Sequence, residues 1–224
     1  LVSISEAAAA SGITTLICTP DTNPVVDDMA LVEYIQQRAQ LLSRVRIRPM
    51  AAVTKGLEGT QMTELGLLSE AGAVAFTDST RAVADATVMR RALSYASAKG
   101  LLIVQHAEEP SLADGGCINE GEVSTRLGLQ GIPAEAEVIM VERDIRLVEL
   151  TGGRYHVAQI STARAIDAVR QAKARGLPVT AGVAPHHFAL NETAIGEYRT
   201  FAKTSPPLRT EADRAAVVEG LRDG

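Results

Sequence analysis

The sequence predicts an α/β fold built from repeated βα units, and three observations lead to that prediction. Short apolar segments rich in β-branched residues alternate with segments of helical periodicity. Successive apolar segments start 24–32 residues apart in every interval but one, which is the repeat of a parallel sheet with helical crossovers. Neither GxGxxG nor GxxxxGKS/T follows the first segment, which counts against a nucleotide-binding sheet. The predicted strands are residues 14–19, 46–54, 73–77, 101–106, 155–160 and 179–184.

The segments between these strands carry helix signals at their ends. Asp85 is a predicted N-cap, and Gly100 is placed to end the helix that Asp85 begins. Gly176, followed by Pro178, ends another helix in the same way. The predicted helices cover residues 29–45, 85–100, 137–153 and 161–176.

Two architectures are compatible with six βα units, an open doubly wound sheet and a (β/α)8 barrel of the TIM type. Such a barrel has eight strands in about 250 residues, whereas this chain has six predicted strands in 224 residues. We therefore expect residues 1–224 to form a single barrel domain that lacks its first and last units.

Composition excludes several classes of function. The net charge of -5 and the absence of a Lys/Arg run argue against a nucleic-acid-binding protein. No apolar run approaches the roughly 18 residues of a membrane span, and the N-terminal residues lack the pattern of a signal peptide. Cys18 and Cys117 have no metal-binding spacing and are expected to be reduced thiols, so we expect a cytoplasmic protein.

Polar residues collect at the carboxyl ends of the predicted strands, where a βα barrel has its active site. These ends read "CTPDTNP", "FTDST", "VQHAEEP", "VAQIST" and "VAPHH". The alternative is that strand ends are polar because they meet loops. The long segment "DGGCINEGEVSTRLGLQGIPAEAE" favours an active site, because loops of this length in a regular βα array are usually functional.

The order and spacing of these segments resemble dihydroorotase, the cyclic amidase of pyrimidine synthesis in the amidohydrolase superfamily. The resemblance rests on "SGITTLICTPDTNP", "GAVAFTD", "IVQHAEEPSL", "GEVSTRLGLQGIPAEAE", "YHVAQIST", "VTAGVAPHHF" and "KTSPPLR". It implies a barrel of the amidohydrolase type that binds zinc. In that family the metal lowers the pKa of a bound water, and the resulting hydroxide attacks a ring amide carbonyl.

Matched to the family residue by residue, the metal site of this chain is altered. The resemblance implies that His106 is a retained metal ligand, whereas Ser79 stands at the position of the metal-bridging carboxylate. Asp78, one residue earlier, is a second candidate ligand, although it has the opposite strand parity. Gln159 replaces another metal-binding histidine, and an amide oxygen is a poor ligand for zinc. The family's HxH pair and its catalytic Asp lie outside this sequence.

Other histidines are weaker candidates for the metal site. His156 lies three residues before Gln159, and its strand parity directs it away from the side of Gln159. His186 and His187 follow the sixth predicted strand, and we favour a structural role for them over metal binding.

The family's substrate-binding positions are also altered. Asp21 stands where the family has an asparagine that helps to hold the substrate carboxylate, and Asn23 follows in the same motif. Two like charges about 4 Å apart repel by roughly 4 kcal/mol at an effective dielectric constant near 20, so Asp21 disfavours an anionic substrate. Ser205 replaces a second substrate-binding asparagine, while Glu122 and Arg126 remain in the long loop.

These substitutions favour a dihydroorotase-like protein with a degenerate metal site, no catalytic residues in this chain and no bound cofactor. The family includes non-catalytic members that act as structural partners of aspartate carbamoyltransferase, so we expect that partner or self-association. The alternative is an active dihydroorotase or related cyclic amidase with a rearranged zinc site. Another barrel hydrolase, in which Asp21 recognises a cationic substrate, is a third hypothesis.

Overall fold

The computed structural model describes residues 1–224, and its secondary structure alternates strands and helices for most of its length. The strands are β1 (Thr15–Cys18), β2 (Arg46–Pro49), β3 (Leu102–Gln105), β4 (Ile118–Asn119), β5 (Gly131–Ile132), β6 (Arg154–Val157) and β7 (Val179–Ala181). The helices are α1 (Val2–Ala10), α2 (Met29–Leu42), α3 (Leu65–Glu70), α4 (Ala86–Lys99), α5 (Pro110–Ala113), α6 (Glu122–Leu127), α7 (Glu135–Thr151), α8 (Ala163–Ala174), α9 (Pro185–Ala189) and α10 (Glu211–Asp223). Short 3-10 turns cover Lys55–Leu57, Glu192–Ile195 and Thr200–Ala202.

The main strands form a parallel array in chain order, as the repeat predicted. β1 pairs with β2, and β3 pairs with β6, which pairs in turn with β7. Phe76 connects the two sheets through parallel bridges to Ala51 and Ile103. The prediction of an α/β fold with a parallel sheet is confirmed, whereas the closure of eight units into a barrel stays a prediction.

Several predicted boundaries differ from the observed ones. The segment 73–77 pairs through the Phe76 bridges but forms no continuous strand. β2 ends at Pro49, because the backbone beyond it turns to meet the side chain of Asp78. Within the long loop, β4 and β5 form a small parallel pair that the sequence did not predict.

Local signals define the helix ends. The side chain of Asp85 accepts hydrogen bonds from the backbone N–H groups of Thr87 (2.6 Å) and Val88 (3.0 Å), which confirms the predicted N-cap of α4. Gly100 ends the same helix in the left-handed conformation, with φ +67°. No helix combines the length and the apolar character needed to cross a membrane.

The core is divided into two clusters of buried apolar side chains. The main cluster contains 30 residues and lies between the parallel strands and the helices, with Ile103, Tyr155 and Val157 fully buried. The small cluster lies beneath the long loop and consists of Ile118, Val123, Ile195, Ala202 and Leu208. The strand ends described below are therefore held by the main cluster on one side and by the small cluster on the other.

A buried polar group links α7 to β6. The carboxylate of Asp144, which is fully buried, accepts a hydrogen bond from the hydroxyl of Tyr155 (2.8 Å) and pairs with the guanidinium of Arg143 (2.7 Å). The guanidinium also donates to the carbonyl of Val83 (2.8 Å). Burial raises the pKa of the Asp144 carboxyl to about 6, although Arg143 and Tyr155 act in the opposite direction.

This raised pKa predicts a pH-dependent contribution to stability. The folded protein holds the Asp144 proton more tightly than the unfolded chain, whose ordinary pKa is 3.8. The contribution is therefore fully present below about pH 3.8 and is lost as the pH rises through about 6. The loss amounts to about 3 kcal/mol in the free energy of unfolding. Urea unfolding at several pH values should show this loss in the wild type and not in the Asp144→Asn variant.

A matched control is Glu149→Gln, which removes an exposed carboxylate from the same helix, where it pairs with Arg175 (3.2 Å). The free energy of unfolding of Glu149→Gln, plotted against pH, should run parallel to that of the wild type. Parallel profiles for the wild type and Asp144→Asn would contradict the prediction.

Candidate functional site

The carboxyl ends of the parallel strands bring His106 and Ser205 together. His106 follows β3 and is buried, with 3% of its surface exposed, whereas Ser205 lies in an exposed loop before α10. The Ser205 Oγ lies 3.1 Å from the His106 Nε2. Two of the predicted site positions are thus joined by a hydrogen bond, and the bond occupies the ring nitrogen of His106 that faces Ser205.

Asp78 is buried, and its carboxylate is bound by donors of the chain itself. Its Oδ1 accepts hydrogen bonds from the backbone N–H groups of Val53 (3.0 Å) and Thr54 (2.9 Å), and its Oδ2 accepts one from the hydroxyl of Thr54. Burial raises the pKa of this carboxyl, while these hydrogen bonds lower it. The side chain therefore fixes the turn after β2, and both of its oxygens already have partners.

Ser79 lies next to Asp21, so two altered family positions are neighbours. Ser79 adopts a left-handed backbone conformation with φ +60°, and its N–H donates to the Thr77 Oγ1 (3.0 Å). Hydrogen bonds from the hydroxyls of Thr19 and Ser79 hold the pKa of the exposed Asp21 carboxyl below its usual range. Position 79 therefore carries a neutral hydroxyl, and the neighbouring charged carboxylate is that of Asp21.

Asn23 points to a different part of the surface. It lines an apolar groove of about 720 Å³ beside α1 and α2, together with Leu1, Cys18 and Tyr34. Asp21, two residues earlier in the same loop, does not line this groove.

Gln159 is half-buried in the bend that follows β6. His156 lies on β6, where its Nδ1 is hydrogen-bonded to the Thr180 Oγ1 of β7 (2.7 Å). Burial lowers the pKa of His156. The sideways contact to β7 agrees with the expectation that His156 points away from Gln159.

His187 has the structural character that the sequence favoured. It is buried on α9, and its Nε2 is hydrogen-bonded to the carbonyl of Pro206 (3.0 Å). Burial lowers its pKa to about 4, so the ring is neutral near pH 7. The His186 ring lies 4.2 Å from it, centroid to centroid. His187 therefore supports the loop that carries Ser205.

The residues of this chain do not by themselves form a complete catalytic zinc site. Nowhere does the chain bring three histidine, cysteine, aspartate or glutamate side chains together as a metal-binding group. His106 is engaged by Ser205, and the Asp78 oxygens are engaged by backbone and hydroxyl donors. A zinc site needs three or four nitrogen, sulfur or carboxylate ligands that are free to bind.

The sequence did not predict a buried polar network that links Glu137 to Arg209 through the hydroxyl of Ser161. Glu137 accepts hydrogen bonds from the backbone N–H groups of Ser161 (3.0 Å) and Thr162 (2.9 Å), and from both of their hydroxyls. Arg209, which is also buried, donates to the Ser161 Oγ (3.2 Å) and to the Asn119 Oδ1 (2.9 Å). The available signal was that Glu137 and Arg209 lie in "GEVSTRLGLQGIPAEAE" and "KTSPPLR", two of the segments that carry the family resemblance.

Comparisons with known proteins place the chain in a family. The family model described as "Dihydro-orotase-like" matches residues 1–165. The dihydroorotase of Pelotomaculum thermopropionicum is 49% identical over 220 residues, which are 98% of this chain and 51% of the relative. The dihydroorotase of Deinococcus radiodurans is 49% identical over 224 residues, which are 100% of this chain and 54% of the relative. The chain thus spans about half the length of these relatives.

Solved structures of low sequence identity share the fold. The L-hydantoinase (dihydropyrimidinase) of Arthrobacter aurescens superposes with a TM-score of 0.82 at 22% identity, over 98% of this chain and 50% of that one. An inactive dihydroorotase-like domain of the CAD-like multifunctional protein of Chaetomium thermophilum superposes with a TM-score of 0.65 at 15% identity, over 99% of this chain and 55% of that one. The family match and these folds agree with the parallel βα array and with the motifs at its strand ends. The chain belongs to the dihydro-orotase-like family.

Proposed function

We propose that this chain belongs to a dihydroorotase-like protein of pyrimidine biosynthesis that does not act as a zinc-dependent cyclic amidase. The observation that carries the proposal is the state of the donors at the strand ends. Ser79 and Gln159 replace two ligand types, while His106 and Asp78 are bound by other groups of the chain. Among the family's ligand positions that lie within this chain, only His106 keeps an imidazole, whereas a catalytic zinc ion usually has three protein ligands.

We further propose that the protein serves as a structural partner of aspartate carbamoyltransferase. The family resemblance supports this role, and so does the presence of the buried Glu137 and Arg209 network in a chain with altered ligand positions. The network stabilises the scaffold and requires no metal. If the partnership exists, mixing the two purified proteins should give a complex by analytical ultracentrifugation, whereas separate sedimentation would contradict it.

The experiment that tests the loss of the metal is elemental analysis of the full gene product, purified without added metal or chelator. We expect less than about 0.1 zinc per chain, because a working site holds one or two metal ions. About one zinc or more per chain would overturn the proposal. A Ser79→Asp/Gln159→His variant, which restores two ligand types, is the matched comparison and should contain more zinc than the wild type.

An active dihydroorotase with a rearranged site is the second candidate function. Its support is the 49% identity to proteins named dihydroorotase. It predicts zinc in the wild-type protein and hydrolysis of dihydroorotate that a chelator abolishes. Zinc content and this assay together separate the two candidates.

A further inference from the structure

Two aromatic side chains before α10 are exposed to solvent. They lie in residues 196–203, which we call the aromatic turn. Phe201 is 96% exposed, more than any other large apolar residue of the chain, and Tyr198 is 59% exposed. Aromatic residues are scarce in this sequence, which has three Phe, four Tyr and no Trp. Two exposed rings within four residues therefore indicate a surface that another molecule covers, because aromatic side chains are enriched at the centres of protein interfaces.

The aromatic turn is held in place from inside. Ile195 and Ala202, on either side of Tyr198, are buried in the small cluster beneath the long loop. The Tyr198 hydroxyl donates to the carbonyl of Leu127 at the end of α6 (2.7 Å), and the Tyr198 backbone has φ +56°. The exposure of Phe201 is thus a property of a packed segment and does not come from a detached loop.

The long loop lies beside the aromatic turn and gives this surface an acidic end. Glu120 and Glu122 are exposed at the start of α6. Asn119, directly before them, donates from its Nδ2 to the carboxylate of Glu192 (2.6 Å). Glu192 begins the segment that leads into the aromatic turn. The start of α6 is therefore fixed to that segment.

The other end of α6 is basic. Arg126 precedes Leu127, whose carbonyl binds Tyr198, and Arg199 follows Tyr198. Lys203 closes the aromatic turn, and Glu197 is the one carboxylate within it. None of the charged side chains at the two ends forms an ion pair within the chain. Their charges are free to meet those of a partner.

A surface with one acidic end and one basic end is complementary to a copy of itself. In a two-fold dimer the same patch is used twice, so the acidic end of one protomer faces the basic end of its partner. An anionic lipid surface would instead be repelled by Glu120 and Glu122, and by the net charge of -5. Charge complementarity therefore favours a second copy of this protein as the occupant.

We propose that the aromatic turn and α6 form a two-fold interface between two copies of this protein, with Phe201 and Tyr198 at its centre. Four aromatic rings bury roughly 600–1,000 Å² of the about 1,600 Å² that a typical interface contains. The charged ends form the rim of the interface. An interface of this size favours reversible association in the micromolar range. The inference goes beyond the proposed function, because it does not depend on the metal content.

The test is sedimentation velocity of the full gene product at concentrations between about 1 and 200 μM. We expect a reversible equilibrium between monomer and dimer. Phe201→Ala should raise the dissociation constant at least about 10-fold, because a central aromatic side chain carries much of the binding energy. Leu41→Ala is the matched control, since Leu41 is also strongly exposed, at 77%, but lies on α2. It should leave the dissociation constant unchanged.

Charge reversal tests how the two ends meet. Glu120→Arg and Arg199→Glu should each weaken the dimer, because like charges then face each other. The double variant Glu120→Arg/Arg199→Glu should regain most of the lost affinity. Glu142 is an exposed glutamate on α7 and controls for net charge, so Glu142→Arg/Arg199→Glu should remain as weak as Arg199→Glu.

Several outcomes would overturn the inference. They are a wild type that stays monomeric over the whole range, a dimer that Phe201→Ala leaves intact, and equal rescue by Glu142→Arg and Glu120→Arg. A monomeric wild type that binds vesicles of anionic lipid through Phe201 would assign the aromatic turn to a membrane surface instead. Each of these results leaves the proposed function standing, whereas zinc in the wild type would overturn the proposed function and leave the interface unaffected.

Discussion

Replacement of Glu137 by glutamine should lower the free energy of unfolding by about 3 kcal/mol, because the buried carboxylate accepts hydrogen bonds from four donors that an amide cannot all satisfy. Both carboxylate oxygens of Glu137 accept hydrogen bonds from Ser161 and Thr162 at the start of α8. The side-chain NH2 group of glutamine would face the N–H and O–H groups of Ser161 or Thr162, and two donors cannot form a hydrogen bond with each other. Urea unfolding followed by circular dichroism measures the loss.

The opposite charge of Arg209, which contacts the same Ser161 hydroxyl as Glu137, provides an internal control for this prediction. Arg209→Met should also be strongly destabilising, since it leaves Glu137 buried and uncompensated. The double variant Glu137→Met/Arg209→Met should lose less stability than the sum of the two single variants, because neither charge remains unpaired. Strictly additive losses would show that the two side chains are not coupled.

Asp78→Asn should lower the free energy of unfolding by about 2–3 kcal/mol and leave the zinc content unchanged. The carboxylate accepts hydrogen bonds from the backbone of Val53 and Thr54 and from the Thr54 hydroxyl, and an amide cannot accept all of them. The Thr54 Oγ1 already accepts a hydrogen bond from the Gly59 N–H (2.8 Å), so it cannot readily take another donor. Urea unfolding and elemental analysis of the same preparations provide the two measurements.

A nearby aspartate is the matched comparison for Asp78. Asp27 accepts one exposed hydrogen bond, from the Gly56 N–H (2.9 Å) in the same turn region. Asp27→Asn should cost less than about 1 kcal/mol, because exposed polar contacts are largely replaced by water. A fall in zinc content in Asp78→Asn would instead identify Asp78 as a metal ligand and would contradict the structural role.

The parts of the fold that follow from local pattern were predictable from the sequence. Asp85 and Gly100 delimit α4 because capping depends on a few neighbouring residues. The segment 73–77 was predicted as a strand from its apolar character, but its pairing depends on tertiary contacts at Phe76. Pairing of β4 with β5 was not predictable, because two-residue strands carry almost no periodic signal.

The candidate site was predictable in position but not in its contacts. Parallel strands bring their carboxyl ends to one edge, so the sequence placed His106 among the polar strand ends. The bond from Ser205 to His106 joins segments far apart in the chain and depends on the loop conformation. The hydrogen bonds that the N–H and the hydroxyl of Thr54 donate to the Asp78 carboxylate are likewise tertiary contacts. The groove that Asn23 lines was not predictable either, since motif order does not fix the direction of a loop side chain, and its substrate-binding role stays a prediction.

The division of the core into two clusters has a consequence for hydrogen exchange. With five buried members, the small cluster has far less apolar area to hold it closed than the main cluster with 30. The long loop and the segment before α10 therefore form a unit that opens without global unfolding, and their amides exchange faster than those of β3 and β6. Arg209 bridges this unit to α8 through Asn119 and Ser161. Loss of the Arg209 side chain should therefore speed exchange in this unit more than in β3 and β6.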